Sequence, residues 1–234
     1  MTNGLRAAAA GMNVQLRKQD VHANNLSNAA TPGFRRSEIT VGSSAFREAL
    51  AETVSMPGAE IVRVDVTPGP VRETGSDYDL AIDGEGLFAL QTDRGLRYTR
   101  DGRFQRAADG RLLSASGHSV MGRDGPIALP GSEFLVSERG QVFSEGQFVD
   151  DLFIAEFDLE DGLRREEDGL FAADLGPRMA AEPRIRQGFV EEANVSVVRE
   201  MAQMMSGFRA FEASAAALRQ TDDTLGRLID SALA

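Results

Sequence analysis

Hydrophobic positions fall into two long, regular stripes at the ends of the chain. Near the N-terminus Leu5, Ala9, Met12, Leu16, Gln19, Ala23 and Leu26 follow one another in alternating steps of four and three, with Gln19 as the one polar member. Near the C-terminus the same steps link Val197, Met201, Met204, Phe208, Phe211, Ala215, Leu218, Asp222, Leu225, Ile229 and Ala232, with Asp222 as the exception. Such steps return to one side of an α-helix, so each run reads as a heptad seam. At a rise of about 1.5 Å per residue, residues 193–232 would reach on the order of 60 Å as one helix. A compact domain of this size cannot cover a helix that long. The stripe needs partners, either the first helix or other chains. Other chains are favoured, because pairing the two helices would still leave apolar flanks such as Val198, Ala202 and Met205 exposed.

Between the stripes the pattern changes. All 8 prolines and most of the 24 glycines lie between residues 29 and 192, and these residues punctuate short strands and interrupt helices. Leu87–Gln91 and Leu96–Thr99 flank Thr92-Asp93-Arg94-Gly95, a hairpin signature. Asp101-Gly102 and Asp109-Gly110 mark two further tight turns, and strands follow near His118–Met121, Phe134–Val136, Gln141–Phe143 and Leu152–Phe157. Ala45–Thr53 reads as a short helix and Ile61–Val66 alternates like a strand. The expected fold is therefore α+β. A mostly antiparallel β domain over 68–190 is flanked by an N-terminal helix and turn over 1–36, a linker segment over 37–67 and a C-terminal helix over 191–234.

Charge separates the same regions. The 234 residues carry a formal charge of −11. Residues 1–36 hold five basic residues against one acidic, residues 193–234 hold four against five, and 37–192 therefore carry −14. Nucleic-acid binding relies on Lys and Arg neutralising phosphates, so no nucleic-acid partner is expected. Cysteine is absent, which excludes disulfides, thiolate metal sites and thiol nucleophiles. No apolar run approaches the roughly 18–20 residues of a membrane span, and Met1–Arg6 lacks the pattern of a secretory signal. Neither membrane insertion nor a cleaved signal is expected.

Candidate chemistry is sparse. Asp-Gly recurs at Asp83, Asp101, Asp109, Asp124, Asp161 and Asp168, but Asp77, Asp79, Asp83 and Glu85 do not match the calcium-loop spacing, and turn geometry accounts for the pairs. His22 lies beside the first stripe and His118 at the start of a strand. There is no nucleophile elbow, and Gly84-Glu85-Gly86 leads into a strand rather than a helix. Trp is absent and Tyr occurs only at Tyr78 and Tyr98, so an aromatic-lined carbohydrate cleft is poorly supplied. No enzymatic activity, cofactor or metal is expected.

The segment Ala23–Arg36 is more specific. Asn24, Asn25 and Asn28 suit a helix end, Pro32 pushes Thr31 out of the helical region, Gly33 permits a sharp turn, and Phe34 offers an apolar anchor ahead of Arg35-Arg36. As a motif it resembles the N-terminal signature of the flagellar basal-body rod and hook family of axial proteins. Asp79–Phe88 followed by Tyr98–Phe104 resembles the family's central β signature, and Gly188–Met201 with Phe208–Glu212 its C-terminal one. The three motifs run in order across the whole chain. Two small departures are a non-polar residue before Arg209 and Phe at Phe211, where Tyr is frequent.

The resemblance implies a structural subunit of the flagellar rod, exported unfolded by the flagellar type III apparatus without a cleaved signal and assembled in the periplasm. Its partners would be other rod subunits through heterologous helical contacts, and neighbouring rod or hook proteins. The terminal helices would form an inner coiled-coil-like axial layer and the β domain an outer one. The chain is short for a hook subunit, which favours a rod subunit of F or G type; length leans to F, while Gly11-Met12-Asn13 and Val197–Met201 lean to G. A hook or hook-associated subunit is the alternative within the family, and a periplasmic calcium- or carbohydrate-binding β module is the rival outside it. The expected assembly interface comprises Leu5, Met12, Leu16 and Leu26, the turn residues Asn24, Asn25, Gly33 and Phe34, and Met201, Met204, Phe208, Phe211, Leu218, Leu225 and Ile229.

Overall fold

The computed structural model of the chain describes residues 2–41, 60–157, 163–173 and 176–233. The expected helix over Ala45–Thr53 lies outside the described residues. Two helices bracket a series of short antiparallel strands, the α+β arrangement that the punctuation by Pro and Gly dictates. The chain separates into two compact units. One holds residues 1–27, 37–63 and 196–234; the other holds 28–36 and 64–195.

In the first unit, helix α1 (Thr2–Ser27) packs against helix α2 (Val197–Leu233). They run antiparallel: His22 and Asn25 meet Glu200, while Gln15 and Gln19 flank Gly207. The strand Ser37–Val41 pairs with Glu60–Val64 in the same part of the chain. The sequence favours other chains as partners for these helices, whereas the structure pairs them within the subunit. The reason for preferring other chains nevertheless holds, because Val198, Ala202 and Met205 remain exposed on the paired helix.

The second unit is built on a nine-stranded antiparallel sheet. At its centre Leu87–Thr92 pairs with Gly95–Thr99 through the turn Asp93-Arg94, in the register Thr92 opposite Gly95. Leu87–Thr92 also pairs with Ile154–Glu156 and Ser119–Val120. A three-stranded sheet joins Leu135–Val136, Gln141–Ser144 and Gln147–Asp151, and two strand pairs bring Val71–Glu73 to Phe189–Glu191 and Leu80–Ile82 to Ile185–Gln187. Inward positions of these strands supply the main core, with Leu80, Phe88, Leu90, Leu112, Leu152 and Ile154 fully buried, and a second cluster gathers Leu87, Ala89, Tyr98, Ala155 and Phe171. Each such side chain is worth roughly 1.5–3 kcal/mol when removed from water.

The two Asp-Gly pairs expected as tight turns, Asp101-Gly102 and Asp109-Gly110, differ in kind. Asp109-Gly110 lies in a turn closed by the Gly110 amide donating to the Ala107 carbonyl. Asp101-Gly102 is not a tight turn. Gly102 is there because its backbone passes so close to Leu80 that a Cβ would overlap the Leu80 carbonyl oxygen.

Candidate assembly surface

The helix pair does not use the stripe as the sequence draws it. On α2 the covered positions include Glu200, Met204, Gly207, Ala210, Phe211, Ser214, Ala215 and Leu218, and on α1 they include Gln15, Gln19, His22 and Asn25. Met204, Phe211 and Leu218 therefore face α1, half-buried, whereas Met201 and Phe208 of the same expected seam stand out in solvent. Val198, Met201, Met205 and Phe208 are 80%, 51%, 58% and 54% exposed, and their spacing puts them on one side of the helix. On α1, Leu16 is 48% exposed, Met12 and Leu26 are half-buried and Asn24 is exposed. Leu5, Leu225 and Ile229 lie within the helices, but their side chains are outside the described residues.

Polar chemistry sets this rotation. Glu200 is fully buried, and its Oε2 accepts from His22 Nδ1 at 2.6 Å and from Asn25 Nδ2 at 3.3 Å. Asn25, also fully buried, donates to the Ser37 carbonyl at 2.8 Å and accepts from the Ser37 amide at 2.9 Å. A buried carboxylate is strongly disfavoured without such donors, so the face carrying Glu200 must turn towards His22 and Asn25. Glu200 also sits in the first turn of α2, where the helix dipole favours an acid. Neither Glu200 nor His22 stands out in the sequence, because each is one position off an apolar stripe.

The turn residues take a different place. Gly33 adopts φ +69°, and a Cβ there would fall well inside contact distance of the Asp101 nitrogen and the Arg100 carbonyl. Phe34 is buried, with the Arg165 guanidinium 4.2 Å over its ring centroid. Arg165 donates to the Arg35 carbonyl, while its Nε has no partner among the described residues; burial brings its pKa down to about 10. Next to it Glu191 binds Arg35 and Arg100, each at 2.5 Å, with all three side chains buried. Arg35 is held below its ordinary value, chiefly by burial and against the attraction of Glu191. Arg100 also donates to the carbonyls of Ile82, Gly84 and Gly86, which fixes the glycine loop ahead of Leu87. Asn25, Gly33 and Phe34 are thus each held by contacts inside their own unit.

A cavity of about 450 Å³ in the β unit is lined by Arg35, Leu87, Arg100, Glu156 and Phe171 among others, but both arginines are already committed to Glu191. Among the described residues no three His, Asp or Glu side chains converge as a metal would require, and no helix is long and apolar enough to cross a membrane.

Comparison with known proteins adds the following. Residues 5–35 match the model of the flagella basal body rod protein, 81–144 that of the flagellar hook protein FlgE/F/G D1 domain, and 186–231 that of the flagellar basal body rod FlgEFG protein C-terminal region. The chain is 31% identical to the flagellar basal-body rod protein FlgF of Escherichia coli, covering 97% of both chains. It is 32% identical to FlgF of Mesorhizobium japonicum over 94% of both. To the rod protein FlgG of Bacillus subtilis it is 27% identical, over 98% of this chain and 99% of that one.

Proposed function

This chain belongs to the flagellar basal-body rod protein family, and from that premise we propose that it is an F-type subunit that joins its neighbours through the exposed side of α2. It is a structural subunit of the bacterial flagellar rod, a part that assembles with other rod and hook proteins. The F assignment is supported by the identity to FlgF relatives of 31% and 32%, against 27% to a FlgG relative. No catalytic step enters this reading.

One observation carries it. Val198, Met201, Met205 and Phe208 stay exposed on a helix that has already taken its intramolecular partner. Monomeric proteins rarely leave so regular an apolar row in water, and such rows mark interaction sites. Burying one of these side chains against a neighbour is worth roughly 1.5–3 kcal/mol, and the gain recurs at every subunit of the shaft. Contacts between unlike patches that do not close on themselves generate a helical filament. In this reading the terminal helices carry the contacts along the shaft, and torque is transmitted by stiffness. Export through the flagellar type III apparatus, with assembly in the periplasm, completes the proposal. The absence of cysteine suits that route, since the chain cannot be trapped by disulfides on the oxidising side.

The test is complementation of a deletion strain with the unaltered chain or with Met201→Asp/Phe208→Asp. The unaltered chain should restore swimming and complete basal bodies in electron micrographs. The double variant should be made and exported yet leave the rod incomplete. Normal swimming of the variant would remove α2 from the assembly interface.

A further inference from the structure

Apolar contacts in a heptad seam repeat every seven residues, so an apolar seam alone leaves neighbouring registers close in energy. The covered face of α2, with Met204, Gly207, Phe211, Ser214 and Leu218, is of this permissive kind. Glu200 is not. In the observed register its Oε2 meets His22 and Asn25, and Asn25 is clamped on its other side to the backbone of Ser37. A slip of one heptad in one direction carries Glu200 away from both donors to the level of Gln15. The opposite slip carries it past the end of α1 at Ser27.

We propose that Glu200, held by His22 and Asn25, is the register-setting residue of the terminal helix pair, and thereby fixes which apolar side chains of α2 face outward for assembly. A single buried polar contact setting helix register, at a cost in stability, is a well-attested use of such groups. The cluster also ties three pieces of the chain together: the end of α1, the start of α2 and the first residue of the strand Ser37–Val41. The statement about register stands on this geometry alone; only the consequence for assembly rests on the proposed function.

The cysteine-free chain allows register to be read by disulfide formation in the full-length protein. A Cβ at Gly207 lies 3.8 Å from Gln19 Cγ, so Gln19→Cys/Gly207→Cys reports the observed register. Gln19→Cys/Ser214→Cys and Met12→Cys/Gly207→Cys report the two one-heptad slips. In the otherwise unaltered chain the first pair should oxidise at least about tenfold faster than either slipped pair. Adding His22→Leu/Glu200→Leu removes charge and partner together, so no buried ion is stranded. The ratio should then fall to within about threefold of unity, with helical circular dichroism retained. An unchanged ratio would overturn the proposal. Should the double replacement lose helicity, Glu200→Met is read in the same way, and an unmoved ratio there overturns it equally. A lost register with normal swimming would leave Glu200 as the register residue and take down its link to assembly.

Discussion

The two units treat buried charge and apolar surface in opposite ways. In the β unit Glu191 is enclosed with Arg35 and Arg100, and the strands close over a core in which Phe88, Leu90 and Ile154 are out of reach of water. In the helix unit Glu200 is just as deeply buried, yet a row of Met and Phe side chains lies outside the same helix. Ions in the first unit complete a self-sufficient fold. The buried polar contacts of the second orient a pair of helices whose apolar surface is only partly used. Burial by itself therefore does not tell a stability element from an assembly element; what matters is whether the apolar groups around it are finished with.

The comparison can be broken with probes specific to each unit. Both tyrosines, Tyr78 and Tyr98, lie in the β unit, and Trp is absent. Tyrosine fluorescence thus follows that unit, while circular dichroism at 222 nm is dominated by the helices. The largest effect is expected for Glu191→Ala, which strands two buried guanidinium groups. Removing one partner of a buried ion pair costs about 3–5 kcal/mol, so the tyrosine-detected urea transition should move by that amount. A shift below about 1 kcal/mol would show the network to be dispensable.

Next comes Gly33→Val. A side chain at φ +69° clashes with Arg100 and Asp101, and a strained backbone of this kind costs about 1–3 kcal/mol. Ser27→Ala, at an exposed residue whose hydroxyl donates to the Asn24 carbonyl, should stay within about 0.5 kcal/mol. Gly33→Val should also assemble less well; equal melting and equal rod yield for the two variants would remove the special backbone role.

A smaller effect depends on pH. Burial would raise the Asp65 pKa, but two hydrogen bonds from Thr67 and the nearby Arg36 outweigh it and hold the group below its ordinary 3.8. A depressed carboxylate adds stability above its unfolded pKa and loses it as pH falls through the folded value. Asp65→Asn should therefore melt lower than the unaltered chain at pH 6, and the gap should close as the pH drops below 3.8. A gap that persists unchanged at about pH 2 would rule out this linkage.

The smallest effect on folding, and the sharpest on function, is expected from Phe208→Asp. The side chain is already in solvent, so both transitions should stay within about 0.5 kcal/mol of the unaltered chain while swimming is lost. Leu218→Asp, half-buried towards α1, should instead lower the helix signal as well. If Phe208→Asp collapses the melt, the residue belongs to the subunit's own packing and the contrast between the units fails.

Local rules made much of this architecture readable before any coordinates. The confinement of proline and most glycine to 29–192 marked both helices and the strand region between them. Thr92–Gly95 marked its hairpin because turn chemistry is a property of four adjacent residues. Gly33 was legible as a turn for the same reason. The heptad spacing located the apolar rows, since periodicity needs nothing beyond the helix itself.

What the sequence alone determined is thus what short-range physics determines: element type, turn positions, the presence of an apolar stripe on each terminal helix, and motifs sufficient for family resemblance. Only the tertiary structure decided which side of each stripe is covered, because that depends on a contact between His22 and Glu200, 178 residues apart. It likewise decided that Asp101-Gly102 is a close approach and not a turn, since the obstructing atom belongs to Leu80. It also assigned Arg100 to Glu191 and to the glycine-loop carbonyls rather than to solvent. Each of these outcomes turns on a partner distant in the chain, and neither propensity nor periodicity carries information about which distant residue will arrive.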